Sequence, residues 1–143
     1  MEFLNDRSPN GTTQLYYTAN RSHLSKFTVT STDNVNPTAD ISQPTTSPVL
    51  DSTSTDVVAT LNDTGTGVNA SNVTVTLDSV DVTDEATITT SNGNVTVEYT
   101  ASGLTAGVHR LDVNGTDEAN NTGSDTVTFS VEDTAPTVDV TSP

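Results

Sequence analysis

The sequence contains no cysteine and no tryptophan. Without cysteine there are no disulfide cross-links, no thiolate metal site and no cysteine nucleophile. Only three Phe and three Tyr are present, so a core must be made mainly of Val, Leu, Ile and Ala. Such a core is thin. Basic residues are also scarce: four face 19 acidic residues, for a net charge of -15. That balance excludes nucleic acid as a partner, because nothing could neutralise a phosphate backbone. No apolar run is long enough to span a bilayer, and residues 2–10 after Met1 have no apolar signal-peptide region. These residues therefore offer no membrane insertion.

What remains is a polar, Thr-rich chain of 143 residues, longer than one ordinary domain needs and too short for two. Its acidity does not read as disorder, because only 16% of residues are charged and the apolar ones alternate regularly. Lys26 is the only lysine and Asp outnumbers Glu, which resembles the proteins of extreme halophiles. In molar salt the Debye length falls to about 3 Å, so carboxylates stop repelling at range and hold water and cations.

Self-similarity organises the chain. The segment from Phe27, Val29 and Asp33 through Pro37-Thr-Ala-Asp-Ile41 to Pro44 repeats about 100 residues later, from Phe129, Val131 and Asp133 through Pro136-Thr-Val-Asp-Val140 to Pro143. Each copy reads as a last strand, an acidic Pro-containing linker and the first strand of the next unit. Residues 1–32 are thus expected to be the C-terminal part of a preceding repeat, 33–133 a complete repeat, and 134–143 a linker and first strand of a following one. Chain ends that fall inside repeats leave strands without partners, so residues 1–32 are expected either to dock non-natively or to be poorly ordered.

Period-two alternation predicts five strands within the complete repeat. Their inward rows are Val57, Ala59 and Leu61; Val73, Val75 and Leu77; Val95, Val97 and Tyr99; Leu111 and Val113; and Val127, Phe129 and Val131. Turn chemistry separates them at residues 63–67, at Asn92-Gly93 and at Ala106-Gly107, with a polar loop over 117–124 before the last. Pro44 and Pro48 mark an edge strand that breaks and changes sheet. Half-buried strands throughout, and no helical period, predict an all-β, antiparallel two-sheet sandwich.

Leu104, Gly107, His109, Leu111, Val113, Asp117, Ala119 and Asn120, followed by Phe129, Val131, Asp133 and Pro136, carry a family resemblance. The pattern resembles the bacterial and archaeal Ig-like repeats of secreted adhesins and surface-layer-associated proteins. The resemblance spans residues 55–140 and departs from the family at Asn120-Asn121, where Gly-Asn is common. It implies an immunoglobulin-like (Greek-key) β-sandwich in a tandem array, extracellular or at the cell surface. The implied function is a non-catalytic spacer, stalk or adhesion module, with neighbouring repeats of the same chain, surface proteins or glycans as partners. Two alternatives accompany it: an accessory module of a secreted hydrolase whose catalytic domain lies elsewhere, and a glycan- or protein-binding module.

Asp63-Thr-Gly-Thr66 matches the aspartic-protease loop, but that chemistry needs two such carboxylates and no second copy occurs. Asp112 to Asp117 starts like an EF-hand loop, yet its glycine is misplaced and no Glu stands at the twelfth position. His109 falls where sandwich domains often place a corner tyrosine, so it is expected to bond the connecting loop rather than act as a base; His23 is given no role. No enzyme site is expected and no cofactor is required. A calcium ion is the one cofactor the loops could hold. The entering linker with Asp33, the loop at Asp63 and the last loop with Asp117, Glu118 and Asn120 should converge at one end, while Asp133 would face the next repeat. Eight N-glycosylation sequons, at Asn10, Asn20, Asn62, Asn69, Asn72, Asn94, Asn114 and Asn120, fit an exported glycoprotein.

Overall fold

The structure, a computed structural model, describes residues 3–7, 13–17, 25–29, 32–46 and 48–132. It is all-β in character, with no α-helix among these residues. Strands β1 (Phe3–Arg7), β2 (Thr13–Tyr17) and β3 (Ser25–Val29) form an antiparallel sheet of their own, in the order β1-β2-β3. Phe27 and Val29, expected in a last strand, lie in β3.

The other nine strands form two sheets. They are β4 (Thr38–Gln43), β5 (Val49–Leu50), β6 (Ser54–Asn62), β7 (Val68–Leu77), β8 (Val80–Asp81), β9 (Thr87–Ser91), β10 (Asn94–Ser102), β11 (Gly107–Asp117) and β12 (Thr122–Val131). One sheet has the order β4-β6-β10-β9 and the other β5-β12-β11-β7-β8. All pairings are antiparallel except β5 with β12, which is parallel. Thr-rich segments suit these strands because β-branched side chains pack on a pleated surface while their hydroxyls meet water.

The core lies between the two sheets and is aliphatic, as the composition requires. Val57, Ala59 and Leu61 of β6 and Val95 and Val97 of β10 face Val73 and Val75 of β7, Leu111 and Val113 of β11, and Val127, Phe129 and Val131 of β12. Phe129 is the largest fully buried side chain. Two members of the expected rows, Leu77 and Tyr99, are only half-buried at the margin of the core. Gly115 is buried opposite Leu61, where a Cβ would approach the leucine side chain to 2.5 Å, and the β7–β11 register shifts beside it.

The chain changes sheets where Pro44 and Pro48 stand, with β4 in one sheet and β5 in the other. Asp125 of β12 reaches back and accepts a hydrogen bond from the Ile41 N–H at 2.8 Å, beside the β4–β6 register shift. Two expectations need correcting. The polar loop expected over 117–124 is only residues 118–121, because Thr122 to Asp125 continue β12 and pair with β11. Strand β9 was not expected, since Thr-Ile-Thr-Thr-Ser carries one apolar residue; its backbone pairing with β10 forms it.

Because Phe129 is 1% exposed in a core with little else of its size, Phe129→Ala should lower the unfolding free energy by about 3–5 kcal/mol. Val108→Ala, at a position 74% exposed, should change it by less than about 0.5 kcal/mol. Urea unfolding of the two variants checks both.

Candidate functional site

Three acidic segments meet at the end of the sandwich where the chain enters β4. Asp63 follows β6 and opens the 63–67 loop; its Oδ2 accepts hydrogen bonds from the N–H groups of Gly65, at 3.0 Å, and Gly67, at 2.7 Å. A side chain that caps its own loop in this way is the usual reason for Asp in a turn. Asp117 closes β11 and is 1% exposed. Its Oδ1 accepts from the N–H groups of Ala119 and Asn121, both at 2.8 Å, and its Oδ2 from the Asn121 side-chain amide at 2.7 Å.

Asp33 comes from the linker and joins both loops. Its Oδ1 accepts from the Val35 N–H at 2.9 Å, and its Oδ2 from the Thr66 N–H at 2.6 Å and the Thr66 hydroxyl at 3.0 Å. Its carbonyl accepts from the Asn121 amide at 3.1 Å. The carboxylate lies against Gly65, where any Cβ would overlap it. Hydrogen bonds from the Val35 N–H, then from the Thr66 N–H, hold the Asp33 carboxyl below its usual range. A depressed carboxylate stabilises the fold above its unfolded pKa, and that contribution is lost as pH falls through the lowered value.

One carboxylate oxygen from each of Asp33, Asp63 and Asp117 lies within 4.8 Å of the others. Three like charges so close repel one another. Asp63 Oδ1 is buried and has no hydrogen-bond partner. Of the five residues expected to converge, these three do. Glu118 turns aside: its carboxylate accepts from the Asn69 side-chain amide at 3.4 Å, and its N–H donates to the Gly67 carbonyl. Asn120 is exposed and takes a left-handed backbone, φ 68°. That conformation favours glycine and tolerates asparagine, which explains the residue pair found here. Asn121, not expected at the site, bridges Asp33 and Asp117. Asp133 lies outside the described residues.

His109 occupies the structural position expected of it: it is 6% exposed and its Nε2 is 2.8 Å from the Thr105 carbonyl in the loop before β11. Among the sequons, Asn62, Asn72, Asn114 and Asn120 are exposed. Asn69 and Asn94 are half-buried, and Asn94 accepts the Asp63 N–H at 3.4 Å. Asn10 and Asn20 lie outside the described residues.

No protein-family model and no curated protein matches the sequence. Similar folds occur in solved structures. The endo-beta-1,4-mannanase from Thermotoga petrophila matches 70% of this chain with a TM-score of 0.54 and 15% identity. Dimeric latent PorU from Porphyromonas gingivalis matches 71% with a TM-score of 0.53 and 19% identity. The matches cover 20% and 11% of those chains, so each likeness is to a part of a larger protein and concerns the fold alone.

Asp117→Ala would leave the half-buried Ala119 and Asn121 N–H groups without their acceptor, and should cost about 1–3 kcal/mol of stability. Glu118→Gln, outside the group, should cost under about 0.5 kcal/mol. Denaturant midpoints of the two variants test the assignment.

Proposed function

We propose that the chain is a non-catalytic spacer repeat of a secreted or cell-surface protein adapted to high salt, an immunoglobulin-like Greek-key sandwich with neighbouring repeats in the same chain. Three features support the immunoglobulin-like reading: the two sheet orders, the first strand shared between sheets, and the parallel pairing of β5 with β12. Exposed sequons at Asn62, Asn72, Asn114 and Asn120 support export and glycosylation.

The observation that carries the spacer reading is the seating of Asp33. A flexible tether would leave the linker to solvent. Here its side chain caps one loop and its carbonyl is tied to another. A junction held this way fixes the direction in which the preceding segment leaves the sandwich, which is what a stiff stalk needs and a passive link does not. The aromatic platform of a glycan-binding module finds less support: Phe129 is buried, and Tyr99 is half-buried with its hydroxyl on Glu85 at 3.3 Å.

A divalent cation fits the same junction. Ca²⁺ takes six to eight oxygen ligands, and Asp33, Asp63 and Asp117 supply carboxylates close together, one with an orphaned buried oxygen. Bound there, calcium would neutralise the repulsion and tie linker to loops. With an affinity in the 10⁻⁴–10⁻³ M range of extracellular modules, about 10 mM CaCl2 should stabilise the fold by roughly 1.4–2.7 kcal/mol. Thermal unfolding of the full chain in molar KCl should therefore rise by several degrees with CaCl2, and the rise should vanish in Asp63→Asn. No rise beyond that of matched ionic strength would remove calcium. The spacer reading itself is tested by ¹⁵N relaxation of residues 33–36, expected to be as rigid as the core strands and loosened by Asp33→Ala; a freely moving wild-type linker would overturn it.

A further inference from the structure

Both ring nitrogens of His109 face oxygen atoms. Nδ1 is 2.6 Å from Asp78 Oδ2 and Nε2 is 2.8 Å from the Thr105 carbonyl oxygen. A carbonyl can only accept a hydrogen bond, and so can an ionised carboxylate. A neutral imidazole has one N–H, so either tautomer would set one nitrogen lone pair against an oxygen lone pair. Only the doubly protonated ring satisfies both contacts. From this geometry we infer that His109 is an imidazolium in the folded protein, an ionic pin joining β11, the β7–β8 turn and the loop before β11, which releases as the solution turns alkaline.

The alternative, a protonated Asp78 donating to a neutral ring, is disfavoured by its surroundings. Asp78 Oδ1 accepts the Arg110 N–H at 2.9 Å and its side chain is 44% exposed. Partial burial pushes the carboxyl up, but hydrogen bonds from His109 and the Arg110 N–H outweigh it and hold the group below its usual range. The other neighbours suit a cation or are indifferent to it. On β12 the ring meets Phe129, centroids 5.5 Å apart and tilted by 30°, within reach of a cation–π contact. The loop before β11 contributes the Thr105 carbonyl and no charge. On β11 itself, Arg110 alternates to the other face and is engaged with Asp112 at 2.6 Å. Asp78 is thus the charged group that acts on the ring.

The signs follow. The bond to Asp78, then that to Thr105, raise the His109 pKa against the opposing effect of burial. A raised histidine pKa gives stability that is complete below the unfolded value of about 6.5 and is lost as pH rises through the folded one. The depressed Asp78 carboxyl gives stability present above its ordinary 3.8 and lost as pH falls through the lowered value. The pin is therefore complete between about pH 4 and 6.5. The His109 side chain is 8% exposed but that of Asp78 is 44% exposed, so molar salt screens the pair in part.

The test is a ¹⁵N NMR titration of the full chain in molar KCl. Two protonated ring nitrogens on His109 at pH 6.5, a titration midpoint above about 6.5, and a fall in that midpoint in Asp78→Asn are expected. The unfolding temperature should drop between pH 6 and 9, and drop less in Asp78→Asn. A singly protonated ring at pH 6.5, or a midpoint unmoved by Asp78→Asn, would overturn the inference. Asp78 is mostly on the surface and its variant should fold, and the wild-type titration decides the question even if it does not.

Discussion

Every backbone N–H in a loop needs an acceptor, and in this chain that acceptor is repeatedly an aspartate carboxylate. Asp63 serves Gly65 and Gly67, Asp117 serves Ala119 and Asn121, and Asp33 serves Val35 and Thr66, while Asp125 serves Ile41 in strand β4 beside its register shift. The thin aliphatic core joins the two sheets. Buried or half-buried peptide groups in the loops would otherwise cost the free energy of a lost hydrogen bond. The short, oxygen-only side chain of Asp meets that need in turns.

This gives the acidity of the chain a second physical origin. On the salt-adapted reading proposed above, excess carboxylate would hold water and cations in concentrated salt. The aspartates at the entry end are instead committed to particular N–H groups. Their price is mutual repulsion, concentrated where Asp33, Asp63 and Asp117 meet.

Much of this was legible in the sequence. Alternation located the strands because each is buried on one face, so Val95 and Val97 had to point inward with Thr96 outward. Pro44 and Pro48 foretold the change of sheet, since proline cannot supply a ladder N–H. The meeting of Asp33, Asp63 and Asp117 followed from antiparallel topology, which puts the end of β6, the end of β11 and the start of β4 together. Strand β9 was not legible, because a single Ile among Thr and Ser gives no periodic signal. The exchange of roles between Asn120 and Asn121 depends on one left-handed residue. The pairing of His109 with Asp78 depends on the β7–β11 register, set by Leu77 opposite Leu111, which alternation alone does not fix.

The first strand, divided between the two sheets, bears on how the module would respond to being pulled. Because β5 runs parallel to β12, β4 begins and β12 ends at opposite ends of the sandwich. Tension along the chain would then slide β5 and β12 past one another. The bonds that bind them, from the Ser130 N–H to the Pro48 carbonyl and from the Glu132 N–H to the Leu50 carbonyl, would be loaded together in shear instead of opening in succession like a zip. Geometry of that kind lets a short pairing resist a load that would peel apart an equally short hairpin.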